Sequence, residues 1–449
     1  MSKAVRVAFI GGASMTWMPS FAADFLRYNP LWGSTLVLMD TNPEALATMM
    51  RYVQRMKTEM GGDINFESTT DRQKALDGAD FVIITFMAGG HQYWKEDVGI
   101  ALKHGLMEPA GMSVGPGGLM QGLKAIPMIV EIAQEMEEIC PGAMMLNYTN
   151  PMSSITLGVQ RYSSIPMAGV CPGIYGYLGR IGEALGVGPE SMRCRAAGVN
   201  HMNWIVSLAA DGRDLLKEWC AYTATHSRKA SSSYESKYAA AFAQGMDVVS
   251  RTLYELYDAW PIPGDGHTSE FMPYFIRKGV DIGKYGLKHD YIEERIEKRK
   301  GVWANIERAA AGEGPLLMGG YESVEKAEQM IGSIVHNESK SFTLNVMNNG
   351  TISNVVPEAA VEVSVVCAAF GFYPIRFGEL PPAIAAWTNL YAAVQDLTVE
   401  AAMRGDRKLA LQALLMDPLM YSFDISEASA MLDEMLMASK PVLPRFFEA

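Results

Sequence analysis

The sequence predicts an α/β fold: an N-terminal Rossmann-type, doubly wound sheet over residues 1–200, followed by a mixed α+β domain over residues 201–449. Three observations carry this reading. Short apolar runs alternate with helical patterns through the N-terminal part, the alternation that builds a mostly parallel sheet covered on both faces. A glycine turn, Gly11-Gly12-Ala13-Ser14, follows the first apolar run directly, and an acid, Asp40, closes the second. After residue 200 the alternation gives way to a strand and turn, long helices and a late strand-like region.

The expected strands are Val5–Ile10, Thr35–Asp40, Phe81–Phe86, Ala143–Tyr148, Met167–Cys171 and Met192–Gly198. Most are rich in Val, Ile, Phe or Met and run into Gly, Asn or Asp, as strands entering loops do. The expected helices between them are Trp17–Tyr28, Pro43–Met60, Gly118–Glu138 and Tyr175–Leu185. Pro127 should kink the third of these rather than end it. Beyond residue 200, Trp204–Ala209 reads as a strand with an Asp211-Gly212 turn. A helical region over Ser232–Asp258 is broken by the turn-rich PIPGDGH of Pro261–His267, and Ser269–Ile276 resumes it. Residues 288–311 read as a charged helix with a solvated face, 342–366 as strand-like, and 380–437 as helical.

Composition bounds the function. Of 449 residues, 49% are hydrophobic and 20% charged, which excludes a disordered, collagen-like or coiled-coil chain. Lys and Arg number 38 against 50 acids, a net charge of −12, so nucleic acid is not an expected partner. The apolar run Val5–Ile10 is too short for a signal-peptide core, and no stretch reads as a membrane span. Five cysteines, odd in number and far apart, fit a reducing cytoplasm better than a disulfide framework.

A glycine turn at the first strand–helix junction lets backbone approach a pyrophosphate. A carboxylate closing the second strand, as Asp40 does, can bond the ribose hydroxyls of NAD and repels the extra phosphate of NADP. Set on Gly11, the G-x-G-x-x-G fingerprint has Ala13 at its second glycine and Thr16 at its third, so an ordinary tight turn stays open as a reading. Three further loops follow expected strands: Asn147–Met152 after the fourth, Gly169-Val170-Cys171 at the fifth, and Gly198-Val199-Asn200-His201 at the sixth. In an open parallel sheet these ends share one edge, where Cys171 and His201 can bind one metal ion. Packing for the cysteine and a cap for the histidine are the plainer alternatives.

The segments FIGGAS (9–14), LMDTNPEAL (38–46), ALDGADFVI (75–83), KHGL (103–106), GPGGLMQGLKAIP (115–127), MMLNYTNPM (144–152), AGVNHM (197–202), GHTSEFMPYF (266–275), NVMNNGTISNVVPEAAVEV (345–363) and MDPL (416–419) come in an order that resembles glycoside hydrolase family 4. These are NAD- and divalent-metal-dependent glycosidases, and the likeness is greatest to the bacterial α-galactosidase branch. It implies a lactate/malate dehydrogenase-like fold, a glycoside as substrate, and a homodimer or homotetramer. It implies Cys171 and His201 as ligands of a metal, usually Mn²⁺, with Asn150 contacting substrate beside it. It implies Gly11, Ser14 and Asp40 at NAD, with Gly12 and Ala13 in the same loop. Asp265 lies about where α-specific members supply a base, with His267 and Glu270 as further catalytic candidates and Asn200 as a substrate-side candidate.

The implied chemistry oxidises the sugar at C3, removes the C2 proton that the ketone has made acidic, and eliminates the aglycone. Water then adds and the same cofactor returns the hydride. Three departures point to a remodelled site: Pro172 stands where the family has a dissociable residue after its cysteine, Met112-Ser113 replaces Asp-Thr, and Ala13 replaces a glycine. The expected substrate is therefore an α-galactoside-like or C6-modified hexoside, a uronide or sulfonated sugar among them. Arg251, Arg277 and Lys278 read as surface charges rather than anion binders. A plain NAD-dependent dehydrogenase and a non-catalytic NAD-binding sensor are the rival readings.

Overall fold

The computed structural model describes residues 3–226, 247–288, 291–316 and 324–448, so the first part of the helical region expected over 232–258 lies outside the described residues. Its strands are β1 (Arg6–Ile10), β2 (Thr35–Met39), β3 (Asn65–Thr69), β4 (Phe81–Ile84), β5 (Met144–Asn147), β6 (Met167–Gly169), β7 (Arg193–Val199), β8 (Met202–Ala210), β9 (Arg213–Asp214), β10 (Trp260–Ile262), β11 (Lys340–Met347), β12 (Ala360–Ala368) and β13 (Gly371–Pro374). They form one 13-stranded sheet ordered β3-β2-β1-β4-β5-β6-β11-β12-β7-β8-β10, with β9 on β8 and β13 on β12. The β3-to-β6 half is parallel and has the doubly wound order of a Rossmann fold. The other half is antiparallel.

The two halves meet through a single register pair, Gly169 of β6 against Asn345 of β11. From that junction one row of partners crosses the entire sheet: Thr69, Met39, Ile10, Ile84, Asn147, Gly169, Asn345, Glu362, Gly198, Asn203 and Ile262. Every loop singled out in the sequence leaves the sheet within a few residues of this row. The sixth expected strand, however, is not in the parallel half. It is β7, separated from β6 by β11 and β12. A shared carboxyl edge therefore does not bring His201 towards Cys171; the return of the chain through the antiparallel half does.

The core follows from apolar strands buried on both faces, as Val7, Ala8 and Phe9 in β1 show. Helices Met18–Arg27 and Pro43–Met60 close the parallel half, the second capped by the Asn42 side chain accepting from Glu44 and Ala45 N–H. Helix Gly115–Ile139 runs through Pro127 without ending and packs on Met152–Tyr162 and Pro382–Arg404. β3 was not expected: only Phe66 of its five residues is buried, because it is the edge strand and carries polar side chains. Gly90–Lys103 and Met152–Tyr162 are likewise helices without a sequence expectation.

Within this core Lys124 donates to Asp97 at 2.5 Å, both side chains being fully buried. Gln121 and Ser439 complete the carboxylate's partners, each at 3.3 Å. Burial raises the Asp97 pKa to about 6 against the pull of Lys124. Lys124→Met leaves an uncompensated buried carboxylate and should cost about 3–5 kcal/mol of unfolding free energy. The double variant Lys124→Met with Asp97→Leu should recover most of the loss. Urea midpoints of the two variants check this.

Candidate active site

The glycine turn is built by close approach. Gly11 and Gly12 N–H donate to the Met39 carbonyl at 2.9 and 2.7 Å. A Cβ on Gly11, at φ 97°, would sit 2.9 Å from Phe86 N, and one on Gly12 2.7 Å from Leu38 Cα. Neither position tolerates a side chain. Asp40 is fixed by the same turn: one carboxylate oxygen accepts from Ala13 N–H and the other from Asn42 N–H, each at 3.1 Å. Gly11, Ala13, Ser14 and Asp40 line a cleft of about 990 Å³, which Asn150, Cys171, His201 and His267 also line. Gly12 does not line it; its part is packing against β2.

At the other end, Cys171 follows β6 closely and His201 is the second residue of the two-residue turn between β7 and β8, since Val199 pairs with Met202. His201 has φ 64°, a backbone state that His adopts more readily than most residues. The Ser113 hydroxyl lies 2.7 Å from His201 Nδ1, which leaves Nε2 as the nitrogen for a cation. β10 pairs Ile262 with Asn203, so the chain beyond β10 passes the hairpin tip. There the His267 ring lies 4.2 Å from that of His201.

Burial drives the pKa of His201 down to about 4 and, helped by His201 and Arg295, that of His267 well below its usual value. Both imidazoles are thus neutral. Burial, with the Glu362 charge behind it, pushes the Cys171 thiol up to about 12. A cation is what would turn such a thiol into a thiolate. A soft sulfur and a neutral, oriented imidazole are a donor set that fits a divalent ion. Among the described residues no group of three or more His, Cys, Asp or Glu is placed to hold a metal. Asn150 lines the cleft with its Oδ1 buried and unpartnered, in a turn held by Asn147 and by Thr149 Oγ1 donating to Phe86 O at 2.7 Å.

Three sequence expectations are corrected by the geometry. Asp265 does not line the cleft: its carboxylate accepts from Ser250 N–H at 2.9 Å, Ser250 Oγ at 2.8 Å and Val249 N–H at 3.2 Å. It caps helix Val248–Tyr257, whose own N-cap, Asp247, makes no such bond. A carboxylate that is buried beneath a helix end and does not line the cleft is not placed as a base there. Glu270 also lies behind the cleft, accepting from Ala110 and Gly111 N–H at 2.6 and 2.8 Å. Asn200 does not line the cleft; its side-chain amide donates to Glu362 at 3.2 Å. Of the three catalytic candidates, His267 alone lines the cleft.

Sequence reasoning marked Ser113 as a departure without its contact to His201, and missed His91 and one face of helix Tyr291–Ala310. Arg295, Arg299, Trp303 and Glu307 of that helix line the cleft, where a solvated face was expected. Their spacing of four, with a tryptophan among the charges, is the signal that places them along one face of the helix. Arg277 and Lys278 are exposed and Arg251 bonds Thr223 O at 2.7 Å, all away from the cleft. Pro172, which does line it, begins helix Gly173–Leu185 and offers no proton.

The model of the family 4 glycosyl hydrolases matches residues 6–187, and that of the family's C-terminal domain matches residues 196–420. The chain belongs to glycosyl hydrolase family 4. An alpha-galactosidase of Bacillus subtilis is 28% identical over 445 residues, covering 98% of this chain and 99% of the relative. A "Probable 6-phospho-beta-glucosidase" of the same organism is 30% identical, covering 100% and 99%, and an alpha-galacturonidase is 28% identical, covering 96% and 97%. The solved lplD protein of Bacillus subtilis superposes with a TM-score of 0.84 at 27% identity, covering 97% of this chain and 100% of that one. A 6-phospho-alpha-glucosidase from gut microorganisms, solved with NAD and Mn²⁺, shares the fold at a TM-score of 0.85 and 23% identity, covering 98% and 99%. This family 4 enzyme is thus a glycosidase by descent, and no helix among its described residues is long and apolar enough to cross a membrane.

The corrected role of Asp265 has a direct consequence. Burial raises its pKa from 3.8 to about 6. The folded protein therefore holds this proton more tightly than the unfolded chain, and stability falls as pH rises through that window. Asp265→Asn should remove this segment of the pH–stability profile. It should also leave the dissociation constant for NAD⁺, read by fluorescence titration, within about twofold, the scale of a residue without cofactor contact.

Proposed function

We propose that this family 4 glycosidase uses NAD and Mn²⁺ to hydrolyse an α-hexoside, α-galactoside-like or modified at C6. One observation carries the reading: the nucleotide-type turn with Asp40 and the Cys171–His201 pair line the same cleft. Relatives that act on alpha-galactosides and alpha-galacturonides, and a fold relative solved with both cofactors, support it. When bound, the nicotinamide supplies a reversible hydride acceptor and the cation a Lewis acid.

The chain's own residues are given these parts. Gly11 and Ala13 leave backbone open to a pyrophosphate, and Asp40 accepts from ribose hydroxyls. Cys171 and His201 hold the cation, with Ser113 fixing the imidazole. Asn150 turns its unpartnered oxygen to a sugar hydroxyl. His267, neutral and beside His201, accepts the C2 proton. Tyr421, Ile425 and Met437 expose apolar side chains around the last long helix, which supports a homodimer or homotetramer. Five free cysteines support a reducing, cytoplasmic setting.

Hydrolysis of an aryl α-hexoside in D₂O with NAD⁺, Mn²⁺ and a thiol should place deuterium at C2 of the released sugar without net NADH. His267→Gln should abolish the exchange while retaining NAD⁺ binding. Net NADH with no sugar released would instead mark a plain dehydrogenase. Ser113→Ala should weaken Mn²⁺ binding about 10–100-fold, the usual loss when the orienting partner of a ligand histidine is removed. Titration of free Mn²⁺ by electron paramagnetic resonance reads that loss.

A further inference from the structure

The loop over residues 108–118 carries Ser113 and is buried along its length except at Ser113 itself, and before Gly115 it forms no helix or strand. A buried irregular backbone has no ladder to satisfy it, so its N–H groups need partners from elsewhere in the chain. Three buried carboxyls take four of them. Ala110 and Gly111 N–H donate to Glu270 at 2.6 and 2.8 Å, Gly115 N–H to Asp417 at 2.7 Å, and Gly117 N–H to Glu108 at 3.1 Å. The first two residues are gripped from the carbonyl side as well: the buried Trp94 indole donates to Ala110 O and Gly111 O at 3.0 and 3.2 Å. A Cβ on Gly118 would sit 2.4 Å from the Ser113 carbonyl carbon, so the loop is wound tightly over the start of helix Gly115–Ile139.

Glu270 differs from the other two carboxyls in where it comes from. It belongs to the helical stretch made of Asp265–Thr268 and Ser269–Phe271, three residues after His267. It is fully buried; Oε1 accepts both N–H groups, and Oε2 is buried without a partner. One oxygen thus joins the stretch that carries His267 to the loop that carries Ser113. Ser113 Oγ lies 2.7 Å from His201 Nδ1, and the His201 ring lies 4.2 Å from that of His267. The contacts close into a circuit that runs from Glu270 through the loop, Ser113, His201 and His267 and back along three residues of helix. Neither ring can shift without breaking a contact elsewhere in that circuit, which is how supporting hydrogen bonds fix the groups in front of them.

We propose that Glu270 is a positioning residue of the site: by fastening the His267 stretch to the Ser113 loop, it holds His201 as its Nδ1–H tautomer, with Nε2 free for a cation, and keeps His267 beside it. The proposal rests on the reading in which His201 holds the cation and His267 accepts a proton, and adds to it a residue that touches neither ligand nor substrate. Burial raises the Glu270 pKa to about 7, so below that pH the carboxyl is neutral and glutamine matches it in shape and charge.

The test uses full-length protein with ¹⁵N-labelled histidine, below the Glu270 pKa. Long-range ¹H–¹⁵N spectra of the metal-free protein report the tautomer of each ring, and His201→Gln identifies the His201 signals. The unaltered protein should show one Nδ1–H tautomer for His201, and Glu270→Ala a mixture. Titration of free Mn²⁺ by electron paramagnetic resonance should find binding about tenfold weaker in Glu270→Ala, the lower end of the loss when the support of a ligand histidine is removed. NAD⁺ affinity should stay within about twofold. Glu270→Gln, which still accepts both N–H groups, should restore the single tautomer and most of the Mn²⁺ affinity. A folded Glu270→Ala protein that keeps both the tautomer and the Mn²⁺ affinity overturns the proposal. So does an equal loss of Mn²⁺ and NAD⁺ affinity that glutamine does not repair, which marks a general loss of packing. If Glu270→Ala does not fold, Glu270→Asp, with its oxygen drawn back by one methylene, is read in the same way. If the unaltered protein binds no Mn²⁺, the glycosidase reading falls, and the tautomer alone decides this one.

Discussion

The site depends on one row of backbone pairing. Strands in a sheet are held about 4.8 Å apart by their hydrogen bonds, so a residue's place in the register fixes its place in space. Here the row from Thr69 to Ile262 passes through Ile10, Asn147, Gly169, Gly198 and Asn203. The nucleotide-type turn, the asparagine turn, the cysteine, the histidine hairpin and His267 all leave the sheet close to it. Among the described residues the parallel and antiparallel halves share only the Gly169–Asn345 pair, and the cysteine lies just beyond that junction. A one-residue slip between the halves would turn Asn345 and Glu362 to the opposite face.

Around that row the interior is polar for a reason. Glu362 is almost fully buried and accepts from the side-chain amides of Asn200, Asn203 and Asn345 at 3.2, 2.9 and 3.1 Å. It sits behind Cys171 and makes the thiol reluctant to ionise alone. A second set of buried carboxylates holds the loop that carries Ser113. Glu270 takes Ala110 and Gly111 N–H, Glu108 takes Gly117 N–H, and Asp417 takes Gly115 N–H at 2.7 Å. Burial lifts Glu270 to about 7 and Asp417 to about 6. Buried carboxyls of this kind endure because each has backbone donors, and what they secure is the position of a hydroxyl against an imidazole.

Much of this was legible in the residues. The first turn and Asp40 are written in local chemistry, glycine where a Cβ has no room and an acid at a strand end. Asn150, Cys171 and His201 follow expected strands, His267 closes an expected turn, and each lines the cleft. What was not legible depends on long-range pairing. β3 hides because an edge strand needs only Phe66 inside. The strand before His201 belongs to the antiparallel half, which no local pattern reveals. Asp265 looks like a free acid in a turn until Ser250 and Val249 are seen beneath it. Helix Tyr291–Ala310 is so charged that its cleft-facing stripe is masked by its solvent face.

The central claim is that the sheet brings a thiol and an imidazole to one cation beside a bound dinucleotide. A crystal of the protein grown with NAD⁺ and Mn²⁺, with diffraction data taken at the manganese edge, tests it most directly. The account predicts one anomalous peak within bonding distance of Cys171 Sγ and His201 Nε2, with the adenosine ribose on Asp40. A peak on other ligands, or a dinucleotide bound away from Gly11, would contradict it.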